Sequence, residues 1–347
     1  MTLSKISLCL LLALHLLISG DGQQARLGGP QTKSNRTELF RIKQYGKYGY
    51  IDRTGKIVIH PQFIAAFDFS EGLALVQLAQ RYAFIDETGE VVIPLSHFSY
   101  DLPYFSEGLV AIKIDKDGVL NDKVGFIDKT GKIMIEPQFF FVGRFSEGLA
   151  SADNGEKWGY IDRTGQFVIK AQFDSALPFS EGLAWVYMNR KIGYIDKTGH
   201  FVIEPTYDDA SSFSEGLAKV MIGGKYGYID TSGKIAIKPQ FDSCHACGGD
   251  FSDGMAEIKL NGKWGYMDKR GQIVIEPKFD GAGTFSDGLA WVSIGGRTGY
   301  IDKTGNLVIK PQFDGVNSFS RGLAAVKIAD KWAYIDKTGK YIWGPTK

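Results

Sequence analysis

Charge of one sign is missing from this 347-residue sequence: 40 Lys and Arg balance 39 Asp and Glu, for a formal net charge of +1. No long-range field therefore draws the chain to nucleic acid or to anionic lipid. Cysteine is scarce, with three in all. Cys9 lies inside an N-terminal apolar run, which leaves Cys244 and Cys247, too few for a four-cysteine metal site or a disulfide framework. The five histidines are scattered. No phosphate loop and no Ser-His-Asp pattern stands out, and no segment after the N-terminus has helical periodicity or enough apolar length to cross a bilayer.

The one long apolar run, Ile6–Ile18, follows Lys5 and precedes small residues in "SGDGQQ". A charged start, a short apolar stretch and a small-residue site read as a secretory signal. Cleavage is expected after Gly22, so residues 1–22 are a signal peptide and residues 23–38 a flexible leader carrying the sequon Asn35-Arg36-Thr37. The expected location is secreted, periplasmic or cell-surface. The domain then runs over residues 39–347.

Glycine is plentiful, 43 residues, and aromatics reach 13%. The reason is repetition. "GYIDRTG" at Gly49–Gly55 returns as "GFIDKTG" at Gly125–Gly131 and as "GYIDKTG" at Gly193–Gly199 and Gly299–Gly305. The turn glycine falls at Gly55, Gly89, Gly131, Gly165, Gly199, Gly233, Gly271, Gly305 and Gly339, and six of the eight spacings are 34 residues. "FSEGLA" or a variant keeps the same beat from Phe69 to Phe319. A fixed period of this size marks a repeat architecture.

One unit, Gly288–Phe313, shows the local logic. "LAWVSI" alternates as a strand, "GG" suits a primed hairpin turn, "TGYID" is a second strand, "DKTG" is an Asp-capped turn with a left-handed glycine, and "NLVIK" is a third strand closed by Pro. The expected fold is all-β: nine tandem three-stranded antiparallel meanders of about 34 residues each. An open, curved, solenoid-like array is expected, with a closed propeller-like ring as the alternative. Nine blades exceed the usual propeller range, and no split unit offers a clasp. Three finer expectations follow. The Gly or Ala before the second-strand aromatic marks a close approach. The third strand, apolar on both faces, is covered on both. Glu136, Lys170, Glu204, Lys238, Glu276 and Lys310 alternate in sign and should be neighbours across units.

The tripeptides Lys157-Trp158-Gly159 and Lys263-Trp264-Gly265, with Lys47-Tyr48-Gly49 and Lys225-Tyr226-Gly227 and the recurring "YIDKTGK" and "FSEGLA", resemble the WG (KWG) repeat family. The resemblance spans roughly 300 residues in nine units. It implies a β-rich tandem-repeat architecture, usually without enzymatic activity, and supplies no catalytic residues. Lys123-Val124-Gly125, Lys191-Ile192-Gly193 and Arg297-Thr298-Gly299 lack the aromatic.

Candidate sites are few. "DKTG" matches part of the phosphorylation motif of P-type ATPases, but nine copies point to a turn. The acids of "FSEG" (Glu71 through Asp287, then Arg321) read as turn residues, with an acidic rail as the alternative. Cys244 and Cys247 in the inserted "SCHACGGD" are a candidate local disulfide; a metal site with His245 would lack ligands. In the first strand the positions between the fixed Ala and Val vary, and Trp185, Tyr187 and Trp291 are the candidate binding residues. No catalytic residue, metal or cofactor is expected. The expected function is an exported, non-enzymatic, protein-binding or scaffold module. The alternative is a carbohydrate or cell-wall binding module, and an enzyme ranks last. The expected partner is an unidentified protein, or else a glycan or cell wall; nucleic acid and an integral membrane segment after signal removal are not expected.

Overall fold

The structure, a computed structural model, describes residues 38–79, 81–95, 103–113, 123–242 and 249–344. The signal segment, nearly all of the leader, Cys244, His245 and Cys247 lie outside them. Thirty-two strands form nine sheets of three or four strands, each antiparallel and each built from one repeat. Blade 1 is Phe40–Gln44, Lys47–Ile51 and Ile57–Phe63. Blade 9 is Gly315–Val316, Leu323–Ile328, Lys331–Asp336 and Tyr341–Trp343. Five blades, including blade 9, begin with a two-residue strand.

The core lies between blades. A ring on the second strand of one blade packs edge-on against the "FSEG" Phe of the next: Tyr50 on Phe69 at 4.8 Å, Tyr194 on Phe213 at 4.9 Å, Tyr300 on Phe319 at 4.7 Å between centroids. Edge-to-face pairs of this kind add about 0.5–1.5 kcal/mol beyond area burial. The same tyrosines donate their phenols forward, as Tyr50 does to Phe67 O at 2.7 Å and Tyr194 to Ser211 O at 2.6 Å. Burial pushes these phenols up from the ordinary tyrosine value. Each turn glycine seats against an isoleucine of the preceding blade: Gly89 on Ile59, Gly199 on Ile169, Gly339 on Ile309.

Counterparts of these contacts join blade 9 to blade 1, made by first-strand residues where the other joints use the "FSEG" Phe and the segment just before it. Tyr334 donates to Arg41 O at 2.8 Å and its ring lies 5.7 Å from that of Phe40. Gly55 sits against Ile342. The array therefore closes as a nine-bladed ring, the arrangement held as the alternative. Among the described residues no strand is exchanged between blades 9 and 1, which meet through an interblade phenol bond, an edge-on ring pair and a seated turn glycine.

The second-strand glycine marks a close approach inside its own blade. A Cβ on Gly159 would lie 2.5 Å from Ile169 O and 2.7 Å from Ala171 N. The cause is a bulge. Trp158 pairs with Phe173 and Tyr160 with Ile169, so Gly159 alone opposes the three residues Lys170, Ala171 and Gln172. Ala83 faces Pro94 in regular register, with Tyr82 on Leu95 and Phe84 on Ile93. In blade 9 the described pairing ends with Tyr334 on Trp343, short of the bulge position, and Ala333 stands there. Among the described residues, glycine stands wherever this bulge is seen, and alanine faces none.

Two expectations are corrected. In blade 7 the third strand is covered on one face only, with Ile275 buried while Ile273 and Val274 are exposed; in blade 1 Ile57 and Val58 are half-buried and Val58 packs on the core. The exposed β-branched residues serve strand formation at the end of the sheet rather than double burial. The six alternating charges are all exposed, and no ion pair joins any two of them among the described residues.

Candidate interaction surfaces

The ring has two ends. One carries the "DKTG" and "FSEG" turns, and the other carries the hairpins between first and second strands together with the "PQFD" segments.

At the turn end every repeated acid is used. Asp52 Oδ1 accepts from Thr54 N at 2.8 Å, Thr54 Oγ1 at 2.6 Å and Lys56 N at 3.1 Å. The equivalent aspartate accepts from the chain two and four residues on in all nine blades, through Asp196 in blade 5 and Asp336 in blade 9. In the seven blades that carry threonine there, its hydroxyl, with the backbone donors, holds the carboxylate below the usual aspartate value, as at Asp52, Asp196 and Asp336. The "FSEG" acid sits at positive φ, 52° at Glu71 and 56° at Glu181. There it reaches the next blade: Gly108 N donates to Glu71 Oε2 at 2.9 Å and Gly216 N to Glu181 Oε2 at 2.8 Å. The serine beside it does the same, Ser70 Oγ donating to Phe105 O at 2.7 Å. Lys129, Lys197 and Lys269 pair with Glu71, Glu147 and Glu215 at 2.9–3.0 Å. The acidic residues are thus staples between blades. At the closing joint Arg321 takes the acid position, and Arg53 pairs instead with Glu38 of its own blade at 2.6 Å.

The varying first-strand positions face the neighbouring blade. Leu75 is fully buried against blade 3, in a cluster with Phe105 and Val110. Trp185 is 7% exposed, stacks on Tyr187 with planes 12° apart, and donates its indole N–H to Ala210 O of blade 6 at 3.0 Å. Tyr187 and Trp291 are half-buried. Trp291 packs on the blade 8–9 cluster and lies over Gly283, where a Cβ would overlap the indole. These three side chains help join blades. Two polar groups share this face, Ser151 and Glu257. The Glu257 Oε1 accepts from Gly249 N at 2.9 Å and Thr284 Oγ1 at 3.2 Å, while Oε2 is buried with no partner. Burial pushes this carboxyl up.

At the hairpin end the lysine of the Lys-Trp-Gly signature meets an aspartate 17 residues later. Lys157 pairs with Asp174 and Lys191 with Asp208 at 2.5 Å, Lys263 with Asp280 at 2.6 Å, and Arg297 with Asp314. The pair joins the second strand of one blade to the entry of the next. That partnership between separated positions was not found from the sequence, although the constant spacing was the available signal.

Comparison with known families decides the classification. Eight segments, residues 48–82, 82–116, 125–158, 158–191, 192–226, 226–264, 264–297 and 299–332, match the WG containing repeat. The chain belongs to that family. Most matched segments run from the second strand of one blade to the second strand of the next, so eight WG repeats span nine sheets. No curated protein matches the chain. Among solved structures, a eukaryotic initiation factor is 13% identical over 88% of this WG repeat chain and 95% of its own, with a TM-score of 0.62. That likeness concerns the fold alone. The dihydro-heme d1 dehydrogenase NirN is 13% identical over 92% and 76% of the two chains, with a TM-score of 0.42. The extracellular domain of a putative hybrid two-component system from B. thetaiotaomicron is 11% identical over 86% of this chain and 54% of that one, with a TM-score of 0.29.

Proposed function

We propose that this WG repeat protein is an exported, non-enzymatic ring that binds a protein partner or holds partners together. The observation that carries this reading is how the repeated chemistry is spent. The nine turn aspartates are each satisfied by their own turn, and the "FSEG" acids by the next blade. The motif that resembled a phosphorylation site therefore serves the scaffold. Exposed aromatics that differ between blades stand on the hairpin end, where Tyr45 is 86% exposed and Trp332 43% exposed. Exposed aromatics on a rigid frame are the usual anchors of protein interfaces. Export rests on the N-terminal run Lys5–Ile18 and the small residues that follow it.

The test uses mature protein (Gln23–Lys347) as bait against an extract of the source cell's surface, with proteins and glycans identified separately in the eluate. A saturable protein partner, competed by free bait, supports the reading. Glycan alone, or nothing above a denatured-bait control, refutes it.

A further inference from the structure

The neutralised lysines of the hairpin end leave one arc different. In blades 4, 5, 7 and 8 the base at the start of the second strand has its aspartate. In blades 9, 1 and 2, contiguous because the ring closes, the corresponding bases are Lys331, Lys47 and Arg81. All three are exposed, and among the described residues no carboxylate pairs with them. For Lys47 the reason is explicit: Ile64, itself exposed, stands where the aspartate would be. Each base is followed by an aromatic residue, Trp332, Tyr48 or Tyr82, a succession found in no other run of three blades. Lys43 adds a further exposed cation. Among the described residues, the acids facing the arc come from its blade 9 side. Asp330 pairs with Lys327 at 2.9 Å, and Asp314 holds Arg297 and accepts from Ala329 N at 2.8 Å.

We propose that the arc of blades 9, 1 and 2 on the hairpin end is a docking surface for an acidic segment of a partner protein, bearing carboxylates for Lys331, Lys47 and Arg81 and an apolar side chain for the Tyr45–Ile64 surface. This deepens the binding role proposed above and rests on it. Charge complementarity supplies the argument, in a chain whose net charge is otherwise balanced. A peptide fits better than an anionic sugar. The Lys43 ammonium stands 4.9 Å above the Tyr48 ring and covers the face on which a sugar would stack.

The test measures binding of a fluorescein-labelled peptide of glutamates interrupted by two phenylalanines, by polarisation at low and physiological salt. Three proteins are compared: native, the arc variant K47E/R81E/K331E, and a control K170E/K238E/K310E. The control changes net charge equally at exposed third-strand sites, and circular dichroism and melting establish that all three are folded. The arc variant should bind at least ~10-fold more weakly, with the control near native and added salt weakening the native complex. Equal loss in both variants, no measurable peptide binding by native protein, or tighter binding of an oligogalacturonate probe overturns the proposal. Surface-extract capture run alongside separates the two claims. Capture undiminished in the arc variant removes the arc and leaves the binding role, whereas absence of capture by native protein removes the role itself.

Discussion

Replacing Gly159 with alanine should be costly, and the structure says how costly relative to two other substitutions. The added Cβ meets backbone, Ile169 O at 2.5 Å and Ala171 N at 2.7 Å, so no side chain can rotate away. Relief requires opening the bulge between the second and third strands, which strains the pairing of Trp158 with Phe173. Overpacking against fixed atoms costs about 2–3 kcal/mol. Gly148 has φ of +89° and nothing within 4 Å of a new Cβ, so Gly148→Ala suffers only the left-handed backbone, about 1–2 kcal/mol. Ala83 sits in a blade without the bulge, and Ala83→Gly loses one methyl and some strand preference, about 1 kcal/mol. Urea unfolding followed by far-ultraviolet circular dichroism gives the three midpoints, compared at constant slope. The expected order of damage is Gly159→Ala, then Gly148→Ala, then Ala83→Gly. Were Gly159→Ala no worse than Gly148→Ala, the claim that the bulge dictates the glycine would be refuted.

Three further outcomes can be checked. Closure of the ring makes Tyr334→Phe and Tyr194→Phe equivalent, each losing one interblade hydrogen bond worth about 1 kcal/mol; a harmless Tyr334→Phe beside a costly Tyr194→Phe in thermal melts means the joint is open. The turn aspartates titrate lower folded than unfolded, so their stabilisation is present above the ordinary aspartate value and lost as pH falls through the depressed one. Asp196→Asn should therefore show a shallower fall in melting temperature on acidification than native protein. The Glu257 carboxyl is raised in the folded ring, so its contribution is full below the ordinary glutamate value and lost as pH rises through the raised one. Glu257→Gln should melt above native at pH 8 and close to it at pH 5, and the opposite ranking would refute the raised carboxyl.

The repeat was legible because its turns are local. Gly55, Asp52 and Thr54 form one closed hydrogen-bonded unit whose demands appear in adjacent letters. The second-strand glycine was legible as a close approach, but its partner lay on the third strand of its own blade, and a bulge leaves only Gly-versus-Ala as a trace. Closure was not legible, since it depends on the small rotation accumulated from blade to blade, which no short segment encodes. The first-strand positions at Trp185 and Trp291 were named as candidate binding residues, because period two separates two faces without saying what covers them. In a ring a neighbour covers both. What sets the Lys47 base apart from Lys157 is 17 residues downstream, where Ile64 replaces the aspartate.

Among the described residues blade 1 joins blade 9 without a shared strand, and this bears on how such a chain can change its length. A ring clasped by a split sheet fixes its terminal segments as a matched pair, so gaining or losing a repeat elsewhere must still bring that pair together. Here the terminal blades meet as ordinary neighbours through Tyr334, Phe40 and Gly55. A tandem duplication or deletion within the gene adds or removes a complete blade and leaves both closing surfaces intact. Copy number in this architecture is therefore a heritable variable that selection can tune, with circumference and the number of exposed hairpins changing together.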